Sequence, residues 1–490
     1  MVTPAPSSQP RAVVLAACLL GCHAKELVLP EPPPVQAPCP SGAAMPTATA
    51  SGDVPESPPP AGLDLVLEQV DPSQLRVHVD RLAGFGTRHT LSDTVSPVRG
   101  IGAARRYIAE RMGAAAVARG GAPPLQVSLD THAVKPDGKR IDRALELVNV
   151  VATLPGTRVP ARHVYVVAHY DSRASDVMNA EIDAPGANDD GSGTALLLEL
   201  ARVLAPRMTD ATVVLLATAG EEQGLVGARA HAEAARARGL DIAAVLSFDI
   251  VGDPQVPGAA PRRDTIRVFS EGLPLAADDA AIAALRRAGA EHDAPSRQLA
   301  RYVATVAAWQ RTAVRPQLVF RPDRLLRGGD HTAFAEQGYP AIRFTEPGEH
   351  YDRQHQDVRD EDGHAFGDVP QHVDPHYLAD VTRLAAATVL QLANAPAIPA
   401  GAHIVDATLG NDTTLRWNAV ADEDLVGYEV LWRETTAAQW QHVQAVGDGT
   451  TVTLPLHRDD WHFGVRTVDR DGYRSPVAAC GVTPPPPGSR

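Results

Sequence analysis

Between residues 62 and 395, short runs rich in β-branched residues alternate with longer amphipathic runs, and that alternation leaves few folds open. The stretches "ELVNVVATL" (146–154), "HVYVVAHY" (163–170), "TVVLLAT" (212–218) and "AAVLSF" (243–248) read as strands. Between and after them, "GTALLLELARVLAPR" (193–207), "GLVGARAHAEAARAR" (224–238), "ADDAAIAALRRAGAEH" (277–292) and "HYLADVTRLAAATVLQLANA" (376–395) carry a helical apolar period. Strands separated by helices cannot pair as tight hairpins, so the chain must cross over and build an α/β domain with a largely parallel sheet covered on both faces. The runs at 146–154 and 163–170 are expected to lie side by side. In such folds, ligands gather at the carboxyl edge of the strands.

The flanks differ. Arg11 precedes the apolar stretch "AVVLAACLLG", which is followed by Cys22. That run is about half the ~20 residues needed to span a bilayer, so residues 1–22 read as an export signal. "LLGC" resembles a bacterial lipobox, which implies lipidation at Cys22, a cell-envelope or secreted location, and membrane contact only through that lipid. Residues 23–61 are rich in proline and poor in aromatics, and read as an extended spacer. After residue 401 the period changes. "TTLRWNAV", "VGYEVLWRE", "TVTLPL" and "WHFGVRTVD" are short alternating runs, so residues 402–483 form a small all-β sandwich. With Trp417 and Tyr428 this region resembles a fibronectin type III domain, although Trp461 stands where that family mostly has the corner tyrosine. Cys39 and Cys480 could pair in an oxidising compartment.

Five strand-end segments concentrate metal-binding residue types. They are "VVAHYDS" with His169 and Asp171, "APGANDDGSG" with Asp189 and Asp190, "TAGEEQG" with Glu221 and Glu222, "LSFDIVG" with Asp249, and "EPGEHYDRQHQDVRD" with His350 and His355. Each has an ordinary explanation: a helix cap for the Asp pair, a dipole partner for the Glu pair, a turn former for Asp249. Together, at one sheet edge, so many carboxylates would repel without cations. Carboxylates and imidazoles without a thiolate suit zinc or a similar divalent ion.

In order and spacing these segments resemble the di-zinc exopeptidases of the bacterial leucyl aminopeptidase and aminopeptidase Y type, over about residues 65–395. The resemblance implies a mixed, largely parallel sheet of about eight strands between helices, and two Zn2+ ions. His169 and Asp249 would hold one ion, Glu222 and His355 the other, and Asp189 would bridge them, with a cis peptide between Asp189 and Asp190. Asp171 would orient His169. Glu221 would be the general base, taking a proton from water held between the two ions and passing it to the leaving amine. "GGDHTAFAEQGYPAIRFTE" resembles the stretch ahead of the last ligand, which places Asp330 and His331 near the substrate.

The expected substrates are peptides with a free N-terminus. Glutaminyl cyclases share the core but typically have a tryptophan before the late histidine, where this chain has Gln354. Carboxypeptidase and dipeptidase activities use similar ligands and stay open. A purely binding protein would be expected to lack one of the six site residues, and none is missing. Nucleic acid is an unsuitable partner for a chain of net charge -14, since phosphate binding needs a basic patch.

Overall fold

The computed structural model describes residues 63–405 and 410–482. The signal at 1–22 with Cys22, the spacer at 23–61 and Cys39 lie outside the described residues. Among the described residues, no helix is long and apolar enough to cross a membrane.

Strands form where the β-branched runs stand: β1 Gln126–Val134, β2 Leu145–Leu154, β3 Val159–His169, β4 Ala211–Thr218, β5 Asp241–Phe248, β6 Thr265–Phe269, β7 Arg315–Val319 and β8 Ala341–Thr345. The helices are α1 Leu63–Leu67, α2 Pro72–Ala83, α3 Gly100–Ala114, α4 Gly191–Leu204, α5 Val226–Ala237, α6 Asp279–Arg287, α7 Pro295–Trp309, α8 Asp330–Ala335 and α9 Pro375–Asn394. One eight-stranded sheet results, ordered β1-β2-β4-β3-β5-β8-β6-β7. Its four central strands β4, β3, β5 and β8 are mutually parallel. The expectation that residues 146–154 and 163–170 are neighbours is wrong. β4 inserts between β2 and β3, antiparallel to the first and parallel to the second. Only the crossover through α4 decides that order, and no local pattern reports it.

The period-2 alternation of the central strands divides the core into two layers. Val164, Val166 and Ala168 point to the side packed by α2, α4 and α9. Tyr165 and Val167 point the other way, against Ala228 and Ala232 of α5 and Phe334 of α8. Being apolar on both faces, β3 and β4 are covered on both sides. α9 starts at Asp374, whose carboxylate accepts the N–H groups of His376 and Tyr377, with Pro375 in the first turn.

Residues 403–405 and 410–482 form two four-stranded sheets around Leu415, Trp417, Tyr428, Val430, Leu454, Phe463 and Val465, as the alternation predicts. The two regions belong to one compact unit. Their seam is polar and buried. Arg301 of α7 and Arg433 of the sandwich both contact Asp293, at 2.8 and 3.0 Å. Trp440 Nε1 donates to Gln298 Oε1 (3.1 Å), and Tyr302 Oη to the Arg474 carbonyl (2.8 Å).

Candidate metal centre

Because β4, β3, β5 and β8 run parallel, their carboxyl ends open on one edge. His169 is the last residue of β3, Glu221 and Glu222 follow β4, Asp249 follows β5, and His355 comes ten residues after β8. The turns that deliver these residues are tightly specified. Gly220 has φ +75°, which brings the chain sharply off β4 into the glutamates. In "DDGSG" the roles divide. Asp190 caps α4 by accepting Gly193 N–H (2.9 Å), while Asp189 faces the cleft. A Cβ on Gly193 would lie 2.3 Å from the Phe248 carbonyl, so only glycine lets α4 begin that close to β5. The peptide between Asp189 and Asp190 is cis, as the resemblance implies.

The side chains converge as two groups. His169, Glu221 and Asp249 offer ligand atoms within 4.8 Å of one another, and so do Asp189, Glu222 and His355. Asp189 joins the groups, since its Oδ1 lies 3.2 Å from His169 Nε2 and its Oδ2 lies 3.1 Å from His355 Nε2. Glu222 Oε1 is 3.0 Å from the same His355 nitrogen.

His169 Nε2, Glu222 Oε1 and Asp249 Oδ1 are buried and, despite neighbouring ligand atoms 3.0–3.6 Å away, none is in a hydrogen bond of proper geometry among the described residues. Buried polar atoms are rarely left so. Gathered in two groups of ligand atoms within 4.8 Å of one another, and made only of imidazole nitrogen and carboxylate oxygen, they fit zinc. The electrostatics agree. Burial, and then the charges of Asp249 and Glu222, push the Glu221 carboxyl well above its usual range. His355 is pushed up to about 10, because Glu222 and Asp189 outweigh the burial that opposes its charge.

Surrounding residues hold the ligands in place. Asp171 is fully buried. Its carboxylate accepts the backbone N–H groups of Glu221 and Glu222 (both 3.2 Å), and its carbonyl lies 3.1 Å from His169 Nδ1. One residue therefore fixes a ligand's ring and the turn that bears both glutamates. Three contributors were missed from sequence. Arg343 on β8 places Nη1 2.8 Å from Asp249 Oδ2, and against the pull of burial it holds that carboxyl low. Asp368 accepts the N–H groups of Asn188 (2.9 Å) and Asp189 (2.7 Å). Thr90 donates to Asp171 Oδ2 (2.9 Å). No sequence motif marks these contacts, which join residues far apart in the chain.

The structure brings His169, Asp189, Glu221, Glu222, Asp249 and His355 together. His350 instead points at Asp352, 3.9 Å away. Asp330 and His331 are not among the residues that line the cleft, although Asp330 lies close enough for its charge to help raise the Glu221 carboxyl. Asp330 opens α8 and accepts the Thr218 hydroxyl, and His331 Nε2 lies 2.9 Å from the Pro322 carbonyl. The start of α8 turns both inward beneath the edge.

The cleft itself measures about 490 Å³. Leu225, Ile250, Leu326 and His355 lie on its wall and are four of the six non-glycine residues with positive φ among the described residues. Such backbone costs on the order of 1–3 kcal/mol each and tends to collect at functional sites.

Residues 149–389 match peptidase family M28. A probable zinc metalloprotease of Pyricularia oryzae is 44% identical over 425 residues, covering 86% of this chain and 84% of that protein. A probable zinc metalloprotease of Leptosphaeria maculans is 43% identical over 422 residues, covering 86% and 96% respectively. Among solved structures, the Legionella pneumophila LapA aminopeptidase aligns at a TM-score of 0.47 and 18% identity, covering 68% of this chain and 74% of that one. The Fimbriiglobus ruber glutaminyl cyclase aligns at 0.46 and 20%, covering 66% and 95%. With the sequence match running through the ligand-bearing strands and well beyond them, the chain belongs to the M28 family of zinc metallopeptidases.

Proposed function

We propose that the chain is an aminopeptidase with two zinc ions. The observation that carries this reading is Asp189, which offers one oxygen to each of two ligand groups. His169, Asp249 and Asp189 Oδ1 would hold one ion, and Glu222, His355 and Asp189 Oδ2 the other. Bound zinc supplies Lewis acidity for the scissile carbonyl and eases deprotonation of water. Glu221 remains as the cleft carboxylate not needed for ligation. Its place in the cleft beside the ligand groups suits a base that accepts the proton of the attacking water and gives it to the departing amine. Asp171 keeps the two glutamates in their separate roles by holding both of their backbone N–H groups.

The test is a time course with leucine p-nitroanilide, its N-acetyl form and a glutaminyl peptide, with chelator and zinc add-back. The reading expects cleavage of the free-amine anilide alone, lost with chelator and restored by zinc. Cleavage of the acetylated form, or ring closure of the glutaminyl peptide without anilide cleavage, would overturn it. We also propose export with lipidation at Cys22, which intact mass of the mature chain tests. A mature chain that still carries residues 1–21 would refute it.

A further inference from the structure

Five arginines line the same cleft: Arg140, Arg173, Arg229, Arg324 and Arg327. Two divalent cations would balance the four cleft carboxylates Asp189, Glu221, Glu222 and Asp249, so the arginines set the sign of what remains. Arg229 pairs with Glu336. Arg324 contacts Asp323 (3.1 Å) and Glu349 (3.0 Å), but Glu349 also receives Arg327 (2.7 Å) and Arg267 (2.9 Å). One carboxylate thus serves three guanidiniums.

Arg140 and Arg173 are less compensated still. Arg140 Nη1 donates to the backbone carbonyl of Glu222 (2.6 Å), beside a proposed metal ligand. Arg173 donates from Nε and Nη2 to the carbonyls of Ala174 and Ser175 (both 3.1 Å). Among the described residues neither forms an ion pair. Each guanidinium has five N–H donors, so several stay available to a substrate. The loop that carries Arg173 is also held in place. Ser175 donates from its N–H (3.1 Å) and Oγ (2.8 Å) to Asp357, two residues past His355, which ties the Arg173 loop to the loop of that histidine. A held fork of donors suits a planar carboxylate, and holding it beforehand lowers the cost of binding.

We propose that this cleft selects peptides with a carboxylate beside the scissile bond, and that Arg140 and Arg173 contact it. The carboxylate is either the side chain of an acidic N-terminal residue or the terminal carboxylate of a short peptide. This inference rests on the aminopeptidase reading and goes beyond it by naming the substrate class.

The test measures kcat/KM of the zinc-loaded full chain on glutamyl, aspartyl, leucyl and lysyl amidomethylcoumarins, on leucylglycine and on leucylglycine amide. N-acetylleucyl amidomethylcoumarin is the control. One charge-assisted hydrogen bond predicts an advantage of about tenfold or more for the carboxylate-bearing member of a pair. That advantage should fall with added salt and collapse in the R140Q/R173Q variant. Preference for glutamyl and aspartyl substrates locates the carboxylate on the side chain. Preference for leucylglycine over its amide locates it at the terminus. Equal or better rates on leucyl and lysyl substrates and on the amide would overturn the inference while leaving an aminopeptidase in place. If only the acetylated control is cut, or nothing is, the aminopeptidase reading fails and this inference with it.

Discussion

Replacing Asp293 by alanine should destabilise the protein more than any surface substitution, and the seam between the two regions sets the size of the effect. The Asp293 carboxylate accepts Arg301 Nη1 (2.8 Å), Arg433 Nη2 (3.0 and 3.1 Å) and Gln298 Nε2 (2.8 Å). The side chains of Asp293, Arg301 and Arg433 are only 6%, 1% and 2% exposed. Burial already pushes Arg301 down to about 10, with Asp293 opposing the shift. Without the carboxylate, two buried guanidiniums have no counter-charge, a loss of about 3–5 kcal/mol. Urea unfolding followed by tryptophan fluorescence reads this directly, because Trp417, Trp432, Trp440 and Trp461 all lie in the sandwich. The D293A transition should move to lower urea. Replacing Asp293, Arg301 and Arg433 together by methionine should recover most of the loss, since an apolar substitute leaves no stranded charge. A cost below about 1 kcal/mol for D293A, the range of an exposed ion pair, would refute the account of the seam.

Other outcomes follow from the same contacts. Against its burial, Arg433 and Arg301 hold the Asp293 carboxyl below its usual range. A depressed acid contributes stability that is present above its unfolded value of about 3.9 and lost as pH falls through the folded one. Acid unfolding of the wild type should therefore show a limb below about pH 4 that is shallower in D293A, and identical limbs would contradict this. Glu221→Gln should lower kcat by about 10²–10⁴-fold while zinc content holds, and loss of zinc instead would make Glu221 a ligand. Arg343→Met should weaken zinc binding by about 10–100-fold, read by competition with a chromogenic chelator. No change would remove Arg343 from the ligand-positioning set.

The sequence revealed more of the site than of its surroundings, for a physical reason. His169 ends an apolar strand, Glu222 and Asp249 follow apolar strands within four residues, and Asp189 stands just before the glycine-rich start of α4, so the local sequence displays each ligand. The same holds for the cap at Asp190, where Gly193 must follow at a fixed spacing. The preference for His355 over His350 also agrees with the geometry. Contacts between distant segments were not legible. Arg343 meets Asp249 across adjacent strands, and Asp368 meets Asp189 across half of the catalytic region. The insertion of β4 between β2 and β3, and the inward turn of Asp330 and His331, depend in the same way on packing that no local pattern encodes. The cleft arginines come from four different segments, which is why they went unnoticed as a group.

The most direct test of the shared-ligand centre is zinc per chain, measured by elemental analysis after dialysis, for the wild type and for D249A, H355A and D189A. The account predicts two ions for the wild type, about one for D249A and for H355A, and a deficit at both positions for D189A. One ion in the wild type, or D189A retaining two, would contradict a centre bridged by Asp189.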